Sequence, residues 1–250
     1  APPSGTNNIY VVHQAKAVGT IEVPATYKSD AQTISGARTF NGGITMGGTT
    51  PTLTIGDAGA EDTKIVFDGN AQDYHIGLDD TDDSIKIGLG SALGTTAHII
   101  SDAAGHVTLP LQSGFQAKTA SAQANLAINA FVTLLFATEI SDTNADYNTS
   151  NSTFTAPVTG KYLVTTALNF DALDADASYW QTQIKTSNRE YTKLDSGNQY
   201  DADPTNLGHS QSMVVDMDAS DTCIIRWYQG GGTAQADLRV ESFFAMQLLA

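Results

Sequence analysis

The chain has 250 residues and one cysteine, and its 27 acidic against 12 basic residues give a formal charge of −15. This charge argues against a nucleic-acid or anionic-membrane partner, because both need a cationic face. The lone cysteine excludes an intrachain disulfide framework and a multi-cysteine zinc site. The longest apolar stretch, residues 130–137, is too short to cross a bilayer, so we expect no membrane insertion.

Residues 1–50 are predicted to form an N-terminal β segment followed by an extended connector. Ile9–Val12 and Thr20–Val23 are strand candidates, and Pro24 ends the second. In residues 32–46 the apolar side chains are isolated from one another by glycine and serine. This stretch is too polar to fold alone, so we expect it to be ordered only where other chains cover it.

An 11-residue repeat runs through the second region, residues 51–112. Ile65, Ile76 and Ile87 are equally spaced, and the last two each begin the tripeptide Ile-Gly-Leu. A strand of about five residues plus a turn of about six gives this spacing. One interpretation is an ordinary β-meander. The favoured one is a trimeric β shaft wound from several chains, because glycine within each strand permits close backbone approach at an axis.

After Pro110 the apolar runs lengthen, which predicts a compact all-β domain over residues 113–250. The alanine-rich run of residues 120–130 also suits a helix by propensity, although Asn125 and Asn129 interrupt it. The strand candidates in this domain are residues 132–136, 153–155, 161–170, 179–185, 212–217, 222–228 and 241–249.

Four segments of this domain carry a family resemblance. Phe154-Thr-Ala-Pro-Val-Thr-Gly-Lys-Tyr162 is preceded by the turn Asn144-Ala-Asp-Tyr147 and followed by two apolar strands in Met213–Trp227 and a terminal strand in Ser242–Leu249. Their order and spacing resemble the globular head of subunit q of the first complement component, which shares the tumour-necrosis-factor jelly roll. The terminal strand departs from the family pattern, since Phe244-Ala-Met246 replaces Ser-Gly-Phe.

The resemblance implies a ten-stranded jelly-roll head that forms a tight homotrimer and binds ligands on its outer face or apex. Aromatic side chains of such an assembly pack in the core or around the threefold axis. The residues predicted to serve core or trimer packing are Phe154, Tyr162, Phe243, Phe244 and Met246.

The N-terminal half resembles segments of phage tail-fibre-like chains. The resemblance rests on Thr52-Leu-Thr-Ile-Gly-Asp57, Ile65-Val-Phe-Asp-Gly-Asn70 and Tyr74-His-Ile-Gly-Leu-Asp-Asp80. A shaft that carries a trimeric head is the general plan of a virion fibre, in which the head meets the host.

Aromatic side chains in or beside the predicted head loops are the candidates for ligand binding. Their faces stack on sugar rings, and neighbouring polar groups bond to the hydroxyls. We assign this role to Tyr179, Trp180, Tyr191, Tyr200 and Asp201, with a core position equally open for Trp180.

Three aspartates in a predicted head loop, Asp171, Asp174 and Asp176, are candidates for a Ca²⁺ site. Beyond this cation we expect no cofactor. The acidic run Asp79–Asp83 lacks the spacing of a calcium loop and is interpreted as a solvated turn.

Catalytic signatures are weak. The sequence has no Gly-x-Ser-x-Gly elbow, and Cys223 lies within an apolar strand. We therefore expect a non-enzymatic homotrimeric virion fibre or spike protein, exposed on the virion, that binds a host-cell-surface glycan or protein and meets other virion proteins through its N-terminus. The alternatives are a capsid or tail component that contacts other viral subunits and a secreted or cell-surface bacterial adhesin. A sugar-cleaving enzyme is the least favoured.

Overall fold

The computed structural model describes residues 36–249, so the strand candidates Ile9–Val12 and Thr20–Val23 lie outside the described residues. Residues 36–53 belong to one compact unit, contain no strand and are exposed. Residues 54–249 belong to a second unit that holds every strand described below. Between residues 36 and 249 no helix is long and apolar enough to span a membrane.

The repeat region forms one antiparallel five-stranded sheet, which we call the N-terminal sheet. Ile65 lies opposite Ile76, Ile76 opposite Ile87, and Ile87 opposite Ile99. The 11-residue spacing is therefore the length of one strand plus one turn in a meander within a single chain. The strands, in spatial as well as chain order, are β1 Thr63–Phe67, β2 Tyr74–Asp79, β3 Ser84–Leu89, β4 Ala97–Ser101 and β5 Val107–Thr108.

The strand glycines of this sheet serve contacts within the chain. A Cβ at Gly88 would lie 2.8 Å from the His75 ring, and one at Gly77 would lie 3.0 Å from a methyl group of Leu93. The expectation that these glycines permit close approach between chains stays a prediction. Their missing side chains make room for the sheet's own histidine and loop leucine.

Residues 114–248 form a two-sheet jelly roll, as predicted. One sheet has the order β16-β11-β19-β6-β8, and the other has the order β14-β13-β17-β10-β9 with β7 paired to β17. A small third sheet, β15-β12-β18, continues the lines of β16, β11 and β19. The strands are β6 Gly114–Lys118, β7 Val132–Thr133, β8 Thr138–Asp142, β9 Tyr147–Asn148, β10 Thr153–Thr155, β11 Gly160–Ala167, β12 Asn169–Asp171, β13 Tyr179–Thr186, β14 Glu190–Asp195, β15 Leu207–Gly208, β16 Gln211–Met217, β17 Thr222–Gly230, β18 Asp237–Leu238 and β19 Phe243–Leu248.

The possible helix over residues 120–130 is wrong. Asn125 and Asn129 have φ angles of 57° and 56°, the left-handed region that interrupts a right-handed helix. The backbone N–H groups of Gln123 and Leu126 donate to Leu238 and Ala236 across the domain. The segment is therefore extended, and its backbone is satisfied by long-range partners.

Residues of the family-like motifs meet in one aromatic core between the sheets. Phe115 stacks on Tyr147 at 4.0 Å and makes edge contact with Phe244 at 4.9 Å, measured between ring centroids. Phe154 and Tyr162 contact each other at 5.5 Å and are fully buried. The jelly roll thus has its own core within one chain.

Four of the five residues predicted to serve core or trimer packing lie in this core: Phe154, Tyr162, Phe244 and Met246. Phe243 alternates to the opposite face of β19 and is half-buried. Cys223 is also fully buried, and burial raises the pKa of its thiol. The thiol therefore packs as a small apolar group.

Candidate ligand-binding surface

The outer face of the sheet that contains β13 and β17 carries a set of aromatic and polar side chains. Along β13, Trp180 points into the core with no exposed surface, whereas Tyr179 and Gln181 on the other face are half-buried. Trp180 is therefore a core residue and does not contact an external ligand. Of the predicted pair, only Tyr179 remains a candidate.

Three rings form an aromatic row across this face, namely Phe131, Tyr228 and Tyr179. Phe131 and Tyr228 lie 5.0 Å apart between centroids, and Tyr228 lies 5.7 Å from Tyr179 with only 15° between their planes. The sequence interpretation missed Phe131 and Tyr228. Tyr228 joins Tyr179 through the pairing of β13 with β17, and Phe131, which directly precedes β7, joins them through the pairing of β7 with β17. A single sequence reveals neither register.

Gly230 lies directly opposite Tyr179 in the paired strands. A Cβ on Gly230 would come within 2.7–3.1 Å of three carbons of the Tyr179 ring, and Gly230 itself is buried. The ring therefore lies over the glycine backbone, and any side chain at residue 230 would lift it away.

Charged and amide groups border the aromatic row. The Arg226 guanidinium sits 4.0 Å from the centroid of Phe131 and donates to Gln183 at 2.8 Å and to Glu190 at 2.6 Å. Lys185 also donates to Glu190, at 3.2 Å, and this bond, together with Arg226, lowers the pKa of the Glu190 carboxyl. Arg226 is thus held over Phe131 by two further partners.

A groove of about 520 Å³ adjoins Tyr179, and we call it the Tyr179 groove. The residues that line it include Tyr179, Gln181, Leu194, Asp195, Ser196 and Gln199. Gln181 and Leu194 lie opposite each other on the outer face, whereas Asp195 lies opposite the inward-facing Trp180. The outer part of the groove therefore combines one ring and one exposed leucine with amides and a hydroxyl. Such a mixture of apolar surface and hydrogen-bonding groups is typical of small-ligand sites.

The other predicted ligand contacts do not line this groove. Tyr191 packs against the core from the inner side of β14. Tyr200 is 38% exposed and contacts Trp180 at 5.5 Å between centroids, while Asp201 is exposed. The structure does not bring the five predicted residues together into one site.

The predicted calcium ligands also fail to converge. Asp171 pairs with Arg239 at 3.2 Å, and Asp174 is buried with its carboxylate turned to backbone N–H groups. No group of three acidic, histidine or cysteine side chains in residues 36–249 is arranged to hold a metal ion. Asp171, Asp174 and Asp176 therefore do not form the expected site.

Asp174 instead ties a glycine-rich loop to the end of the jelly roll. It accepts from the backbone N–H groups of Thr233 at 2.5 Å, Ala234 at 2.7 Å and Asp176 at 2.8 Å. Burial acts to raise the pKa of the Asp174 carboxyl, but these three donors outweigh it and the pKa is lowered. The acidic cluster read from the sequence has a structural role.

His209 is a buried titratable group behind β13. Its Nδ1 lies 2.9 Å from the Thr182 hydroxyl, and its Nε2 lies 2.6 Å from a carboxylate oxygen of Asp195. Burial lowers the pKa of His209 to about 4, with Lys193 acting in the same direction and Asp195 opposing. The ring is neutral at physiological pH.

The acidic turn of the N-terminal sheet is organised by a cation from the adjoining strand. Lys86 is buried, and its Nζ donates to Asp79 at 2.6 Å and to Asp82 at 2.8 Å. These bonds lower the pKa values of both carboxyl groups and raise the pKa of Lys86. Lys86 thus compensates part of the negative charge of this turn from within the chain.

A second, larger cleft of about 780 Å³ lies among the turns near the ends of β11 and β16. It contains the charged side chains of Lys161, Arg189, Asp216 and Asp218, and no aromatic residue. Lys161 is already paired with Asp216 at 2.6 Å. With two charges of each sign and no ring, this cleft lacks an aromatic surface for stacking.

The jelly roll is similar to several solved structures at low sequence identity. The globular domain of zebrafish complement 1qA is 14% identical over 56% of this chain and 98% of that chain, with a TM-score of 0.41. Murine APRIL is 10% identical over 55% and 99%, and PRD1 vertex protein P5 is 10% identical over 56% and 99%, both with a TM-score of 0.40. No protein-family model and no curated protein matches the chain. The likeness concerns a complement- and tumour-necrosis-factor-like jelly roll, whose strand order is described above.

Proposed function

We propose that the protein is a non-enzymatic homotrimeric virion fibre or spike protein that attaches the particle to a host-cell-surface glycan. In this proposal residues 1–50 connect to other virion proteins, residues 51–112 form the shaft and residues 113–250 form the head. The observation that carries it is an uncovered apolar face on the N-terminal sheet.

One face of the N-terminal sheet, which we call the isoleucine face, is made almost entirely of apolar side chains. The register aligns Ile65, Ile76, Ile87 and Ile99 across four strands, and Phe67, Tyr74 and Leu89 form the adjoining row. In the single chain Phe67 is 60% exposed and Ile65 is 41% exposed. The further exposed members are Tyr74, Leu78, Ile85, Ile99 and Val107.

The central strands of the same sheet are covered on the opposite face by their own chain. His75 and Lys86 are buried there, and Leu93 from the loop after β3 packs over Gly77, whereas Val66 of the edge strand β1 is exposed on that face. The chain therefore covers the middle of this face and leaves the isoleucine face open. Contiguous exposed apolar surface of this kind marks an interaction site, and each Å² removed from water contributes about 25 cal/mol.

Further copies of the same chain are the occupants that account for both regions together. Complement- and tumour-necrosis-factor-like domains typically form homotrimers, and their fold suggests an extracellular or virion protein. Three copies joined through their heads place three isoleucine faces in reach of one another. Three heads on one particle then bind a surface by avidity, so that weak single contacts suffice.

Size-exclusion chromatography with light scattering tests the assembly. We expect three times the chain mass of 26.3 kDa, and a 26.3 kDa species at micromolar concentration contradicts the proposal. Ile65→Lys combined with Ile99→Lys places charges on the isoleucine face at positions that a single chain already exposes. We expect this variant to weaken the trimer, while Val158→Lys, an equally exposed position on a turn of the jelly roll, leaves it intact. Equal behaviour of the two variants would contradict a role for the isoleucine face.

A further inference from the structure

We propose that the aromatic row and the Tyr179 groove bind an uncharged oligosaccharide, with Tyr179 and Tyr228 stacking on its sugar rings. The inference rests on the proposed attachment function and names the ligand class and the residues that carry it. It replaces the set of contacts expected from the sequence with one continuous surface.

The ring of Tyr179 lies flat against the sheet over the residue opposite it, Gly230. Because Gly230 has no side chain, the tyrosine ring lies over the strand backbone, and Tyr179, which is half-buried, lines the adjoining groove. Tyr228 lies nearly parallel to it at 5.7 Å, so the two rings offer adjacent apolar surfaces. Apolar C–H faces of pyranose rings stack on aromatic faces of this kind.

Phe131, at the far end of the aromatic row, is held in place by its neighbours. Phe131 contacts Tyr228 at 5.0 Å, and its own face is occupied by the Arg226 guanidinium at 4.0 Å. Arg226 is in turn held by Gln183 and Glu190. Phe131 thus supports the row, and the surface for stacking is Tyr228 together with Tyr179.

The groove beside Tyr179 supplies groups that bond to hydroxyls. Gln181 and Gln199 each offer a donor and an acceptor, and Ser196 offers a hydroxyl. Leu194, which is 58% exposed, adds apolar surface on the neighbouring strand. This arrangement of a flat ring beside mixed hydrogen-bonding groups matches the alternating apolar faces and hydroxyl edges of a glycan.

The charge of the groove lining and of the whole chain favours an uncharged glycan over an acidic one. The residues that line the groove include no cationic side chain, its one carboxylate, Asp195, is already paired with Lys193 at 3.4 Å, and the whole chain has a formal charge of −15. Acidic sugars are repelled by such a field, whereas neutral sugars are unaffected by it. The polar cleft with Lys161 and Arg189 lacks an aromatic platform and is not a comparable site.

Saturation-transfer NMR on the intact chain tests the inference with cellohexaose, maltohexaose and laminarihexaose as uncharged probes and hexagalacturonate as an acidic probe of the same length. We expect at least one uncharged probe to bind and the acidic probe not to bind. Absence of binding by all three uncharged probes, or preferential binding of hexagalacturonate, overturns the inference.

Variants locate the site. Tyr179→Leu keeps apolar cover over Gly230 but removes the ring, and we expect the affinity for the bound probe to fall by about tenfold or more. Gly230→Ala retains the tyrosine but displaces its ring, and we expect a similar loss. Tyr200→Leu is the matched control, because Tyr200 is an exposed head tyrosine outside the groove, and its affinity should be unchanged.

The same samples distinguish this inference from the proposed function. Thermal unfolding of each variant confirms that it is folded, and undiminished binding by folded Tyr179→Leu overturns the assigned site. Light scattering on the parent chain reports its mass independently. A trimer that binds none of the probes overturns the glycan inference alone, whereas a monomer that binds through Tyr179 supports the site and contradicts the fibre.

Discussion

The N-terminal sheet and the jelly roll differ in how far they bury their apolar side chains. The jelly roll encloses two tryptophans and a cluster of aromatic rings between its sheets within one chain. The N-terminal sheet has similar apolar strands but a single layer, so that Phe67, Ile65 and their neighbours remain exposed. The jelly roll carries its own core, whereas the N-terminal sheet leaves one apolar face without cover from its own chain.

Truncation of one aromatic side chain in each region should give the largest difference in the free energy of unfolding. Phe244→Ala removes a fully buried ring, and we expect it to lower the free energy of unfolding by about 3–5 kcal/mol. Phe67→Ala, at a 60% exposed ring, should cost the isolated chain less than about 1 kcal/mol. Urea unfolding followed by far-UV circular dichroism measures both changes. A comparable loss in monomeric Phe67→Ala would show that the N-terminal sheet has a core of its own.

Acid should weaken the jelly roll through His209. The pKa of this group is about 4 in the folded chain and near 6.5 when unfolded. The unfolded state therefore binds the proton first, and stability falls as the pH drops from 6.5 to 4, by roughly 3 kcal/mol in all. Fluorescence reports this directly, because both tryptophans lie in the jelly roll.

His209→Gln should flatten the stability profile between pH 4 and 6.5. The matched control is His106→Gln, since His106 is an exposed side chain that lies before the jelly roll. An unchanged slope in His209→Gln would contradict the assigned cause.

Loss of the Asp174 carboxylate should loosen one end of the jelly roll. Asp174→Asn keeps the size of the side chain but weakens its bonds to the backbone N–H groups of Thr233 and Ala234. We expect the free energy of unfolding to fall by about 1–3 kcal/mol near neutral pH. Because the folded pKa is lowered, the difference from the parent should disappear as the pH falls through that pKa. A difference that persists at lower pH would exclude the carboxylate charge as its source.

The smallest effect is expected in the acidic turn of the N-terminal sheet. Lys86→Met keeps the apolar stem but leaves Asp79 and Asp82 facing each other without their cation. We expect a modest decrease in the thermal midpoint of the sheet, with no change in tryptophan fluorescence. Lys64→Met, at an exposed lysine of β1, serves as the control and should change neither quantity.

Patterns along the chain revealed more of the fold than of the site. The equal spacing of Ile65, Ile76 and Ile87 predicts a strand-and-turn repeat because pairing in a meander is local. The contacts of Gly77 within its own chain were not predicted, since its neighbour Leu93 comes from a loop whose path has no signature in the sequence. Residues 120–130 do not form the helix that their alanine content favours, because Asn125 and Asn129 adopt positive φ angles.

The candidate site was harder to predict because it is assembled across distant strands. Tyr179 was identified from its neighbourhood in the sequence, but its partners Tyr228 and Gly230 come from β17. Trp180 was ambiguous because strand alternation specifies two faces without specifying which is buried. The aspartate cluster around Asp174 suggested a calcium site, but the Asp174 carboxylate accepts from backbone N–H groups.

The buried position of Cys223 excludes a disulfide bond between folded copies of this chain. It is the only cysteine in the sequence, it has no exposed surface, and its thiolate is disfavoured. Two such thiols do not meet unless the sandwich opens, so oxidising surroundings leave no covalent bridge between subunits. Detergent gels run with and without reductant should therefore give the same single-chain band.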